Sequence, residues 1–130
     1  MTKPNFTILL AGHGDFGRGL LSAASLIVGS TEHVLVAPLA GGVTPETYTE
    51  KLSALIETAS GEVLILCDLY GGTPCNVALI LSQRLSQVKC LAGVNLPLLL
   101  EAMLTQEPLD DALLAKLLTV GQGGLLAHKP

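Results

Sequence analysis

The chain has 130 residues, 49% of them hydrophobic and 14% charged, with a formal net charge of −4. That length predicts one domain spanning residues 1–130, large enough to bury a substantial core. With no basic stripe and a net negative charge, the composition argues against nucleic-acid binding.

The mean hydropathy of +0.57 is high. It fits a fold whose central strands are buried on both faces, or a chain that hides surface in an oligomer. No run reaches the ~18 apolar residues of a membrane span. Lys3 and Pro4 do not introduce a signal-peptide core, so a cytoplasmic location is expected. The three cysteines, Cys67, Cys75 and Cys90, are odd in number and widely spaced. That argues against a disulfide framework and a zinc site, and they read as small buried hydrophobes.

Phe6 to Ala11 is short and continuously apolar, which predicts a buried strand. Phe16 to Val28 carries Leu20, Leu21, Ala24 and Ile27 at helical spacing, and Gly29 stops it. Val34 to Ala37 predicts a second strand that Pro38 ends. A helix follows, with Thr44 as its N-cap, Pro45 at its first position and Gly61 closing it. Glu62 to Cys67 predicts a third buried strand. Thr73 as N-cap and Pro74 at the first helical position open a helix to about Leu85. Val88 to Ala92 predicts a fourth strand. Asn95 to Leu104 and Asp110 to Val120 read as two more helices. "GGLLAHK" then reads as a short last strand or a frayed tail.

Strands alternating with helices imply parallel strands joined by right-handed crossovers. The expected fold is a doubly wound α/β sheet with four parallel strands in the order 2-1-3-4. A fifth, antiparallel edge strand is possible. In this order strands one and three are neighbours at the topological switch point, where ligands collect beyond the carboxyl ends. His13 follows strand one and Asp68 follows strand three. The fold therefore sets these two distant positions side by side.

Gly12, Gly14 and Gly17 spell G-x-G-x-x-G, which raises a nucleotide-binding module as the alternative reading. That reading needs an acidic residue at the end of strand two, and the strand ends at Ala37-Pro38-Leu39 instead. Asp15 would also place a negative charge beside a pyrophosphate. Receiver-type signalling domains phosphorylate an aspartate where Asp68 lies, but they need paired acids after strand one. Here Gly12-His13-Gly14-Asp15 supplies one acid and a histidine.

A histidine flanked by glycines suits phosphoryl chemistry better. Small neighbours leave the ring accessible. A neutral imidazole offers one nitrogen as nucleophile, while the other needs an acceptor that fixes the tautomer. Asp68 is the candidate acceptor, with an orienting role. Backbone N–H groups at helix N-termini then receive the phosphoryl charge. One candidate end opens after Gly14, the other after Gly71-Gly72-Thr73-Pro74, and the Thr73 hydroxyl serves as cap, as donor or as both. No metal or cofactor is required. His33 and His128 sit at element edges without obvious carboxylate partners and read as surface residues. Tyr70 either lines the site or packs.

"LLAGHGDFGRGLLSAASLIVG", "CDLYGGTPCNVAL" and "LAGVNLPLLLEAML" resemble one family in order and spacing. It is the enzyme IIA component, mannose/fructose/sorbose class, of the bacterial phosphoenolpyruvate-dependent sugar phosphotransferase system. The resemblance covers nearly the whole chain, and D-x-x-G-G-[ST]-P-x-N is its most specific element. It implies a flavodoxin-like sheet and a homodimer. It implies that His13 accepts a phosphoryl group from the carrier HPr and passes it to enzyme IIB. IIB then supplies the sugar taken in by the membrane permease, so the link to the membrane is indirect. Asp68 matches the hydrogen-bonding aspartate, Thr73 the Ser/Thr of the third-strand loop, and "PLAGGVTPET" the loop after strand two. The resemblance also implies a C-terminal strand paired across the dimer. The chain ends at Pro130, so IIB is expected to be a separate partner. The sugar is not legible.

Overall fold

The computed structural model describes residues 3–128. Among the described residues, four strands and five helices follow one another. They are β1 (Thr7–His13), α1 (Phe16–Val28), β2 (Val34–Leu39), α2 (Pro45–Thr58) and β3 (Val63–Cys67). Then come α3 (Thr73–Arg84), β4 (Val88–Ala92), α4 (Leu96–Leu104) and α5 (Asp111–Gly123). The strands form one parallel sheet in the order β2-β1-β3-β4, as the alternation of elements predicts.

Alternate residues of the inner strands point to opposite faces. Ile8, Leu10, Leu64 and Leu66 join the core beneath α1, α4 and α5. Leu9, Ala11, Ile65 and Cys67 join the core beneath α2 and α3. Every residue of β3 is buried, which is why it reads as an unbroken apolar run. Cys67 and Cys75 lie buried as free thiols, and Cys90 is half-buried.

β1 runs two residues past its expected end. Gly12 and His13 stay in the ladder, opposite Pro38 and Leu39 of β2. Pro38 does not end β2, because β2 is an edge strand and one side of it carries no ladder bonds to lose. Ladder pairing therefore carries His13 to the rim of the sheet.

Thr44, Asn95 and Asp110 each cap a helix by accepting a bond from the backbone N–H three residues on. Thr73 does not. The N-cap of α3 is Gly72, which has no side chain to offer, and Thr73 is the first helical residue. α2 ends at Thr58, before Gly61. α5 extends through Gly123, so part of "GGLLAHK" is helix. Residues 124–128 form no strand, and Lys129 lies outside the described residues. The possible fifth edge strand is not found among the described residues.

Candidate functional site

The carboxyl ends of β1 and β3 meet as the strand order requires. His13, the last residue of β1, donates its backbone N–H to Asp68 Oδ2 at 2.8 Å. The His13 ring Nδ1 lies 2.8 Å from the same oxygen. One carboxylate oxygen thus holds both the backbone and the side chain of the histidine. The His13 side chain is 49% exposed and that of Asp68 only 10%.

Asp68 is held in turn by the strand ends, its N–H donating to Ala11 O at 3.2 Å. Burial raises its pKa. The His13 backbone bond, ring bond and charge outweigh that and hold the carboxyl below the ordinary carboxylate range. An ionised Asp68 accepts the proton on Nδ1. The Nε2 lone pair of this half-exposed side chain then stays free of a proton. Asp68 Oδ1 is buried without a hydrogen-bond partner among the described residues.

The loop from Leu69 to Gly72 passes beside the ring. Gly71 takes φ +87°, a backbone conformation that favours glycine. Asn76 Nδ2 donates to Gly71 O at 3.3 Å and ties the loop to α3. Among the described residues no acceptor pairs with the amides of Gly71 or Thr73. Both sit at the N-terminus of α3, where unpaired donors and the helix dipole favour an anion. Since Thr73 makes no cap, its hydroxyl is not engaged there.

Gly14 departs from expectation. Its N–H donates to Leu39 O at 2.9 Å, so that amide is occupied and does not serve as an open phosphate donor. Its φ of +53° turns the chain from β1 into α1. Gly72 also donates, at 3.3 Å to Leu69 O. Among the described residues, the amides of Leu69, Tyr70, Gly71 and Thr73 in this loop find no acceptor, and those of Gly71 and Thr73 stand nearest the start of α3.

Each glycine of the G-x-G-x-x-G run has its own local reason. A Cβ on Gly12 would lie 3.1 Å from Asp68 Cγ. Gly14 needs its positive φ. A Cβ on Gly17 would lie 2.9 Å from Val36 Cγ1, so glycine lets α1 close onto β2. None of these reasons involves a dinucleotide. Among the described residues, no group of three or more His, Cys, Asp or Glu could hold a metal.

Tyr70 is 80% exposed and does not pack. Leu69 and Phe16 are exposed as well. His33, expected at the surface, is half-buried. Both its ring nitrogens are buried without a partner among the described residues, and burial, then Lys3, lowers its pKa. It lies before β2, at the end of the sheet away from His13. His128 is exposed. Sequence reasoning missed Tyr48. This side chain is fully buried, and its hydroxyl donates to Ala37 O at 2.6 Å, below the rim of the site. The spacing Tyr48, Leu52, Ile56 on one buried helix face was the available signal.

A family model described as the PTS system fructose IIA component matches residues 7–117. The chain belongs to this family. It is 33% identical over 105 residues to the fructose-specific EIIA component of Bacillus subtilis, covering 79% of this chain and 72% of that one. It is 32% identical over 127 residues to the mannose-specific EIIAB component of Escherichia coli strain K12. That match covers 94% of this chain but only 39% of the longer relative. Among solved structures, phosphotransferase system component EIIA from Streptococcus agalactiae matches with a TM-score of 0.87 and 32% identity. It covers 94% of this chain and 96% of that chain. The mannose/sorbose-specific IIA subunit from Enterococcus faecalis matches with a TM-score of 0.89 and 28% identity. It covers all of this chain and 97% of that one. The chain is thus a phosphotransferase-system IIA component of the mannose class with a flavodoxin-like sheet. No helix among its described residues is long and apolar enough to cross a membrane.

Proposed function

We propose that this IIA component is a phosphohistidine carrier, with His13 Nε2 as the atom that accepts and releases the phosphoryl group. The observation that carries this reading is the 2.8 Å contact between His13 Nδ1 and Asp68 Oδ2. It keeps the proton on Nδ1 and the lone pair on Nε2.

In the forward step the Nε2 lone pair forms an N–P bond as the N–P bond of the donor breaks. The donor is the phosphohistidine of HPr. Its ring departs neutral because its second nitrogen carries a proton. The accepting ring keeps its Nδ1 proton and gains positive charge, which the Asp68 carboxylate stabilises. The Gly71 and Thr73 amides and the Thr73 hydroxyl receive the phosphoryl oxygens. Transfer to enzyme IIB reverses these steps, and the sugar is modified only beyond IIB. Phosphoryl transfer depends mainly on positioning and electrostatics, so these few groups suffice for the carrier step.

The reading places the chain in the cytoplasm as one IIA domain, paired with a second copy of itself. Exposed Leu26 and Ile27 on α1, with Leu125 and Leu126 beyond α5, support the pairing.

The test is intact mass after incubation with phosphoenolpyruvate, enzyme I and HPr. Wild type is expected to gain one acid-labile, base-stable phosphoryl group, and His13→Ala none. No gain in wild type, or an equal gain in the variant, overturns the carrier reading.

A further inference from the structure

Nothing local requires position 72 to be glycine. Its φ of −78° and ψ of 166° are ordinary extended values open to any L residue. It is the N-cap of α3, a position where Ser, Thr, Asp or Asn stabilises a helix and where this chain has no capping bond. The helix tolerates glycine here, but neither it nor the backbone explains why a residue with a capping side chain is absent. The neighbouring ring does. A Cβ on Gly72 would lie 2.8 Å from His13 Cε1 and 3.5 Å from Nε2. The first distance is closer than real Cβ contacts come.

The ring cannot simply retreat. Its Nδ1 is held 2.8 Å from Asp68 Oδ2. Asp68 is itself held, because the same oxygen accepts the His13 backbone N–H at 2.8 Å and the Asp68 N–H donates to Ala11 O at 3.2 Å. Gly12 is the corresponding case on the strand side, since a glycine within a strand gives up side-chain packing.

We infer that Gly72 is a positioning residue: its missing Cβ is the seat of the His13 imidazole and holds Nε2 in line for phosphoryl transfer. The inference rests on the carrier reading for its kinetic consequence but not for its geometry. A side chain at position 72 must tilt the ring, breaking the Nδ1–Asp68 bond or moving Nε2 off the line of attack. A displacement of about 1 Å at a reacting atom costs about 10²-fold in rate.

The test uses Gly72→Ala, with Gly61→Ala as control because its Cβ would meet open space. Gly72→Ala is expected to accept the phosphoryl group from HPr about 10²-fold more slowly than wild type. Its ¹H–¹⁵N imidazole spectrum is expected to lose the single Nδ1–H tautomer of wild type. Gly61→Ala changes neither. Melting temperatures of Gly72→Ala, His13→Ala and the double variant close a cycle. The loss caused by Gly72→Ala is expected to be clearly smaller once the ring is removed, leaving only glycine's advantage over alanine at an N-cap. An unchanged rate and tautomer, or an equal loss of stability with and without the ring, overturns the seat. If wild type itself takes no phosphoryl group, the carrier reading fails, while the tautomer and melting comparisons still decide the seat.

Discussion

At the scale of single residues, one oxygen organises the candidate site. Asp68 Oδ2 accepts from the backbone of His13 and contacts its ring, so strand end and side chain are aligned together. Asp68→Asn keeps the shape but presents an amide that no longer enforces the Nδ1–H tautomer. Phosphoryl acceptance is expected to fall about 10²-fold, the lower end of what a fixed proton-handling group contributes. Stopped mixing with phosphorylated HPr checks this, and an unchanged rate would remove Asp68 from its proposed role. The lowered pKa of Asp68 has a thermodynamic counterpart. As pH falls, the unfolded chain takes up this proton before the folded one does. The stabilisation is therefore present above the ordinary value of about 3.9 and is lost as pH falls through the lower folded value. Urea midpoints of wild type and Asp68→Asn are expected to begin converging below about pH 5 and to keep converging as pH falls through the ordinary carboxylate range. A gap independent of pH in that window would contradict the assignment.

At the scale of elements, the glycines divide into those with a structural duty and those without. Gly19 is exposed in the interior of α1, and a Cβ there would meet nothing within 4 Å. Gly19→Ala is expected to stabilise the protein by about 0.5–1 kcal/mol, because alanine leaves less backbone freedom to lose on folding. Thermal or urea unfolding checks the sign. Gly17, in the first turn of the same helix, packs against Val36, so alanine there forces the helix away from β2. The start of α2 was legible because Thr44 acts locally on an N–H three residues on, while Asn95 and Asp110, expected as first helical residues, are the caps of α4 and α5. The start of α3 was misplaced by one residue. Its N-cap is given over to the histidine ring on another strand, a demand that no local capping rule contains.

At the scale of the whole molecule, the sheet separates two apolar cores. Leu52 of α2 is buried in one and Leu99 of α4 in the other. Leu52→Ala and Leu99→Ala are each expected to cost about 2–5 kcal/mol. Since the two clusters share no side chain, the losses are expected to add within about 0.5 kcal/mol. Denaturant titration of the single and double variants measures this. A large departure from additivity would mean that the sheet transmits strain between its faces. The same layering explains the location of the site. Crossovers run from β1 outward to β2 on one face, and from β2 back to β3 and on to β4 on the other. The reversal falls between β1 and β3, and His13 and Asp68 meet at the carboxyl ends of these neighbouring strands.

By itself the sequence determined the element order, the parallel sheet and its strand order, and the pairing of His13 with Asp68. Apolar periodicity and strand–helix alternation act locally or through general rules of chain connection, so they are readable along the chain. Three motifs in family spacing carried the identity of the chain. Only the tertiary structure decided that β1 continues through Gly12 to His13, since that depends on ladder partners in β2. Only it showed that the Gly14 amide is occupied by Leu39, that the His33 ring nitrogens are buried, and that Tyr48 braces the rim. Each of these rests on contact between residues far apart in sequence. The same holds for Gly72, an ordinary glycine in the chain, whose reason lies in a ring brought to it by the fold.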